Sequence, residues 1–189
     1  MIALKLKNTK NFMTRLLLSD TFDNFLFIEG EIVTFNTFTI DGYIQKAFYE
    51  DSMAPGSDSP GSAASSGSGP TPDHENAGGS SKGGYSSWKQ LRELCFSIIK
   101  GKRTPLSFRF VFSLSPENIA RLIEQNSLDY QASDVQGLYL NIRFDGTALQ
   151  CITGTSLKTF SMDKSLEHEW DAMVPRFFDK KGIAFEPEE

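Results

Sequence analysis

The chain has 189 residues, a formal net charge of −5 and an isoelectric point of about 5.1. Its mean hydropathy is −0.29, and no apolar run approaches the ~18 residues that a membrane-spanning helix needs, so we expect no membrane association. Two cysteines, Cys95 and Cys151, are too few for a disulfide scaffold or a four-cysteine zinc site. The acidic composition argues against a bulk polyanion binder, and without a signal-peptide pattern we expect a cytoplasmic location.

Residues 51–84 have the composition of a disordered insertion. Gly, Ser and Pro supply most of this range, and Met53 is its one large apolar residue. Such a segment cannot bury enough apolar surface to offset the entropy of ordering it. We therefore predict three ordered parts: residues 1–50 form the first half of a duplicated α+β domain, residues 85–104 form a helix that completes it, and residues 105–185 form the second half. Whether the insertion has a function is left open.

The first ordered part begins with a strand and a short helix. The strand is predicted over residues 2–6, and the helix over residues 10–18, with Asn8 or Thr9 as its cap. The following stretch, NFLFIEGEIVTFNTFTIDGYIQKAFY, is rich in Phe, Ile and Thr and is predicted to be β-structure. Asp41-Gly42 inside it is typical of a hairpin turn.

The helix after the insertion has a clear beginning and end. Ser87 and Gln90 form a capping box, apolar residues then recur with the helical period, and Gly101 ends the helix.

The second half repeats this order of elements. LSFRFVFSL is a strand, and Ser115-Pro116 begins a helix. Three strands are predicted next: GLYLNIRF, TALQCIT and LKTFSM, with turns at Asp145-Gly146 and at Gly154. A last helix runs from about residue 165 toward residue 182.

The final helices of the two halves contain matching segments, WKQLRELCFSIIKG and WDAMVPRFFDKKG, in which the tryptophan, Trp88 or Trp170, comes first and Lys-Gly comes last. We therefore predict two β-α-β-β-β-α units in an α+β fold, with a mainly antiparallel sheet and helices packed on one face. Chance similarity between two amphipathic helices is the alternative. Both tryptophans are expected to be buried.

Two stretches, NFLFIEGEIVTFNTFTIDGYIQKAFY and FSIIKGKRTPLSFRFVFSLSPENIARL, resemble an uncharacterised family of Firmicutes proteins that has no assigned activity. A weaker, pattern-level resemblance links FSLSPENIARLIEQ and the strands after it to the β-α-β-β-β motif of bacterial sliding clamps. The repeat order also resembles the saddle of the TATA-binding protein. Both resemblances imply DNA binding, but the helix PENIARLIEQ has one Arg and two Glu, unlike a helix that lines DNA.

The predicted ordered parts of the sequence contain no catalytic, metal-binding or cofactor-binding motif. His168 could form an acid–base or metal cluster with Glu167, Glu169 or Asp171. However, adjacent helix positions point in different directions, and acidic residues are also expected in the first turn of a helix because of its dipole. The other histidine, His74, lies in the insertion. Cys95 and Cys151 are expected to be core residues, and we predict no catalytic residue, no metal and no cofactor.

The motif IIKGKRTP carries the one concentrated basic cluster. Lys100, Lys102 and Arg103, with Arg109 from the next strand, could bind phosphates or an acidic partner, and Arg121 could extend the patch. Alternatively, these residues complete a helix end and are otherwise solvated.

The function that we expect is a non-catalytic intracellular binding module for a protein partner. Nucleic acid remains possible through the local basic patch, as a DNA-associated, clamp-like accessory protein. A small enzyme that uses His168 and its neighbouring carboxylates is the third alternative.

Overall fold

The computed structural model describes residues 1–50 and 84–188. The predicted insertion therefore lies outside the described residues, except for Gly84 at its end. The main-chain carbonyl of Gly84 accepts a hydrogen bond of 2.7 Å from the N–H of Ile44, so Gly84 belongs to the folded part.

Within the described residues the chain forms one sheet of seven strands and five α-helices. The strands are β1 (Ala3–Leu6), β2 (Phe25–Val33), β3 (Thr37–Asp41), β4 (Ser107–Leu114), β5 (Val135–Phe144), β6 (Leu149–Leu157) and β7 (Phe185–Pro187). The helices are α1 (Thr9–Leu17), α2 (Lys46–Glu50), α3 (Trp88–Ile99), α4 (Pro116–Gln125) and α5 (Ser165–Lys180). The sheet order is β3-β2-β4-β5-β6-β1-β7, and all neighbours are antiparallel, which confirms the α+β class.

The predicted helix caps are present. Asn8 caps α1, because its side-chain oxygen accepts a hydrogen bond of 2.9 Å from the N–H of Asn11. Ser87 and Gln90 form the capping box at the start of α3. Ser115 caps α4 and is followed by proline at the first helical position. These helices therefore begin where local side-chain chemistry satisfies their free N–H groups.

One core joins the helices to one face of the sheet, which we call the inner face. The helices contribute Phe12, Leu16, Leu17, Trp88, Cys95, Ile119, Leu122, Ile123, Leu166, Trp170, Val174 and Phe178. The strands contribute alternate residues, among them Phe27, Ile32, Phe108, Phe110, Phe112, Leu138, Leu140, Ile142, Phe144 and Cys151. Both tryptophans are fully buried, as predicted. Leu26 and Val111 are also buried but stand outside this core, because strand alternation places them on the other face, which we call the outer face.

The sequence predicts a turn at Asp41-Gly42. The hairpin between β2 and β3 instead turns seven residues earlier, at residues 34–36. There the N–H of Thr34 donates to the carbonyl of Asn36 at 2.9 Å. Glycine is needed at position 42 for a different reason, since a Cβ built there would lie 1.9 Å from the carbonyl oxygen of Phe27. A close approach of two backbones, rather than a turn, explains this glycine.

The strand count and one turn also differ from the prediction. Gly154 lies inside β6, opposite Tyr139 of β5, so β6 continues through the predicted turn and ends at Leu157. Residues 158–162, the rest of the predicted third strand, are not in a strand. Two strands, rather than three, therefore follow the first helix in each half. In the first half, the end of the predicted β-stretch is the short helix α2.

The sheet does not place the two halves in equivalent positions. β1 lies between β6 and β7, whereas β4 lies between β2 and β5. Trp88 is the first residue of α3, but α5 begins five residues before Trp170. The duplication therefore remains a prediction from the sequence.

Candidate functional site

A row of polar and charged side chains crosses the outer face of the sheet. Each member lies directly opposite the next on the neighbouring strand. In order from β2 to β7, the row consists of Glu31, Arg109, Arg143, Gln150, Lys5 and Glu186. With strands ~4.8 Å apart, this charged row is about 24 Å long. All of its members are exposed except Gln150, which is half-buried.

Two arginines are direct neighbours in the charged row. Arg109 of β4 faces Arg143 of β5, and like charges in this relation destabilise a sheet. Arg109 donates a hydrogen bond of 2.7 Å to Glu29, but both side chains are about half exposed (53% and 49%), so the pair contributes little to stability. Among the described residues, Arg143 has no ion pair within 4 Å.

The predicted basic motif lies at one end of the sheet. The N–H of Lys100 bonds to the carbonyl of Phe96 at 2.7 Å, and its ammonium group lies 5.8 Å above the Phe96 ring, so Lys100 completes α3. Lys102 and Arg103 are exposed in the loop before β4. This loop is attached where β2 ends, because Leu106 donates a main-chain hydrogen bond of 2.8 Å to Val33.

Arg109 follows that loop by a few residues and points to the outer face. The binding role predicted for Lys100, Lys102, Arg103 and Arg109 stays a prediction. Arg143 was not among the predicted site residues, although alternation along GLYLNIRF could have placed it on the solvent side.

A small cavity lies on the outer face, at the end of the sheet opposite the basic motif. It has a volume of about 120 Å³, and its lining includes Leu26, Tyr85 and Tyr139. The ring of Tyr139 covers Gly137, where a Cβ would lie 2.4 Å from the ring. Burial, with a smaller contribution from Tyr85, raises the pKa of Tyr139, so its phenol is neutral at physiological pH. Tyr43 extends this aromatic end, its ring centroid lying 5.7 Å from that of Tyr85.

The acidic residues around His168 do not converge on it. His168 is exposed on the first turn of α5. Glu167 instead accepts a hydrogen bond of 2.6 Å from the Met1 amine. Asp171 bonds to the same amine and to the hydroxyl of Thr153. In the part of the chain that the structure describes, no three His, Cys, Asp or Glu side chains form a group that could hold a metal ion.

Both cysteines are core residues, as predicted. Cys95 packs from α3 and Cys151 from β6, each with no exposed surface. Burial raises the pKa of each thiol to about 12, so neither is a thiolate at neutral pH.

In its described residues this is an α+β protein with one antiparallel sheet, whose inner face packs on the core and whose outer face carries the charged row. The chain belongs to a family of unknown function (DUF5721), whose model matches residues 15–63 and 71–186. The prediction of an uncharacterised family is thus confirmed. No curated protein and no solved structure matches the chain. Over the described ranges, no helix has both the length and the apolar character needed to cross a bilayer.

Proposed function

We propose that this protein is a non-catalytic intracellular module that binds a protein partner through its outer face. The observation that carries the proposal is the position of Arg109 directly opposite Arg143. Two guanidinium groups in this relation lower the stability of the free protein, and an acidic side chain from a partner would relieve their repulsion.

The order of charges favours a protein partner over a nucleic acid. Glu31 and Glu186 end the charged row, and Glu29 already binds Arg109. A nucleic acid presents a continuous line of phosphates, which these carboxylates would repel. A protein surface can present acidic groups to the arginines and basic or neutral groups to the two ends of the row.

The tyrosines beside the small cavity, Tyr43, Tyr85 and Tyr139, provide a second type of contact. Tyrosine and arginine are enriched in protein interfaces, where they contribute much of the binding energy. The cavity beside Tyr85 and Tyr139 is large enough for a small apolar side chain. A partner is therefore expected to place an acidic group over Arg109 and Arg143 and an apolar group near the tyrosines.

The test is photo-crosslinking from the outer face. A photoreactive amino acid replaces Asn141, which lies between the arginines and the tyrosines on β5, and crosslinked products are collected from cells that express the protein. We expect a discrete protein adduct that disappears when Arg109 and Arg143 are both changed to Glu. The matched control is the Arg176→Glu, Lys180→Glu variant, which makes the same change in charge on the exposed side of α5 and should keep the adduct.

Two further measurements address the two alternative functions. Binding of labelled duplex DNA that weakens steeply between about 50 and 200 mM salt would favour the clamp-like DNA-associated role. Loss of a cellular activity in the His168→Ala variant, with folding unchanged, would favour the enzyme. If the adduct persists in the double arginine variant, the proposed binding face is wrong.

A further inference from the structure

The two edges of the sheet are protected to different degrees. β7 has three residues, ends in Pro187 and carries Glu186, features that discourage another strand from pairing with it. β3 has the sequence TFTID, with no proline or lysine and a single charge at its end. Among the described residues, no other segment pairs along the outer edge of β3, where Thr37, Thr39 and Asp41 are exposed.

The hydrogen-bond pattern shows which main-chain groups of β3 face outward. Thr34 bonds to Asn36, and Gly42 donates to the carbonyl of Ile28. Facing residues of an antiparallel hairpin alternate between pairs that exchange main-chain hydrogen bonds and pairs that do not, and these two bonds fix which pairs are which. The N–H and C=O groups of Phe38 and Ile40 therefore point toward β2. The N–H and C=O groups of the alternate residues, at positions 37, 39 and 41, consequently point away from the sheet.

We propose that β3 pairs in antiparallel fashion with β3 of a second copy of this chain, around a two-fold axis at Thr39. In this register Thr39 faces its own copy, and Thr37 faces Asp41. Because the outward-facing groups are at positions 37, 39 and 41 in both chains, every facing pair of these residues can exchange main-chain hydrogen bonds. The result is one continuous sheet across two copies.

The side chains are self-complementary in the same register. Phe38 of each chain faces Ile40 of the other chain, so the same contact is made on both sides of the axis. Both residues are half-buried on the inner face, and Phe35 nearby is 84% exposed, so pairing would cover apolar surface that the single chain leaves in water. On the outer face no like charges oppose each other across the axis, since Thr39 meets Thr39 and Asp41 meets Thr37. A strand from an unrelated protein would not be expected to match every one of these positions.

Sedimentation velocity from about 1 to 500 µM tests whether the full chain self-associates reversibly. The Thr39→Lys and Thr39→Asp variants each place like charges opposite each other at the axis. We expect each variant alone to raise the dimer dissociation constant by about tenfold or more, and an equimolar mixture to restore association through the opposite charges. Circular dichroism and thermal melting are the check that both variants are folded.

A second pair of variants tests the main-chain contact. Thr39→Pro removes an N–H that faces outward and leaves the bonds to β2 in place, so it should abolish dimerisation. Thr39→Val keeps the N–H group and the branched shape, and should keep the dimer. The proposal is overturned if the wild-type chain stays monomeric over the whole range, if the mixture of charged variants does not associate, or if a folded Thr39→Pro variant dimerises as wild type does.

Discussion

The indole N–H of Trp88 donates a hydrogen bond of 2.7 Å to the main-chain carbonyl of Leu16, near the end of α1. The last carbonyls of a helix have no partner within the helix, so this bond satisfies a buried acceptor that water cannot reach. The same indole stacks on Phe27 at 5.4 Å and meets Phe112 edge-on at 5.0 Å. One side chain thereby joins α1, α3 and the two strands β2 and β4.

Two substitutions separate the packing of Trp88 from its hydrogen bond. Trp88→Ala should lower the free energy of unfolding by about 3–5 kcal/mol, because it removes a large buried ring. Trp88→Phe keeps an aromatic ring but leaves the Leu16 carbonyl unsatisfied, which should cost about 1–3 kcal/mol in addition to the smaller loss of packing. Urea unfolding at 25 °C measures both. A Trp88→Phe variant as stable as wild type would show that the hydrogen bond is unimportant.

Gly42 is expected to tolerate no side chain. Because a Cβ there would overlap the carbonyl oxygen of Phe27, Gly42→Ala should destabilise the fold by at least about 2 kcal/mol through a forced backbone shift. Gly101→Ala is the control, since nothing lies within 4 Å of a Cβ at that position. Thermal melting of the two variants compares them directly, and equal melting temperatures would contradict the prediction.

The turn between β5 and β6 should make stability depend on pH in acid. The N–H groups of Ala148 and Thr147, with the Thr147 hydroxyl, lower the pKa of Asp145 from 3.8 to about 2. A lowered pKa means that the ionised carboxylate stabilises the folded state: the contribution is complete above pH 3.8 and is lost as the pH falls through about 2.

The Asp145→Asn variant provides the comparison, because it keeps an acceptor oxygen but has no charge to titrate. The difference in melting temperature between this variant and wild type should be constant near neutral pH and should shrink between pH 4 and pH 2, as expected for a group with this pKa. A difference that is unchanged down to pH 2 would show that the charge of Asp145 does not stabilise the turn.

The cysteines should be unreactive in the native protein. Cys95 and Cys151 are fully buried, and their raised pKa values leave almost no thiolate at neutral pH. We expect an aromatic disulfide reagent to modify both thiols rapidly in guanidinium chloride and only slowly, through opening of the fold, without it. Rapid modification of either thiol in the native protein would mean that the core around it opens easily.

Local features of this fold could be predicted from the sequence, but its long-range pairings could not. The caps at Asn8, Ser87 and Ser115 depend on residues within one helical turn, so their signals are contained in a few adjacent letters. The sequence predicts a turn at Gly42, where the fold instead needs close backbone contact, because glycines that serve these two purposes look the same in a sequence.

The candidate site depends on strand register in the same way. Alternation along each strand predicts that Arg109 and Arg143 face solvent. That they face each other follows only from the pairing of β4 with β5, two strands separated by α4 and its flanking loops. The order of strands is a property of the assembled sheet, and local propensity contains little information about it.

The position of β1 has a consequence for how the protein is made. β1 is held between β6 and β7, so Leu4 pairs with Cys151 on one side and with Pro187 on the other. Of these three strands, β1 is synthesised first and β7 last. At about 5–20 residues per second, the ribosome completes β7 roughly 10–35 s after it has made β1. During that interval the nascent chain must keep Leu4 and Leu6 away from incorrect apolar partners, and the sheet can close only when synthesis has passed β7.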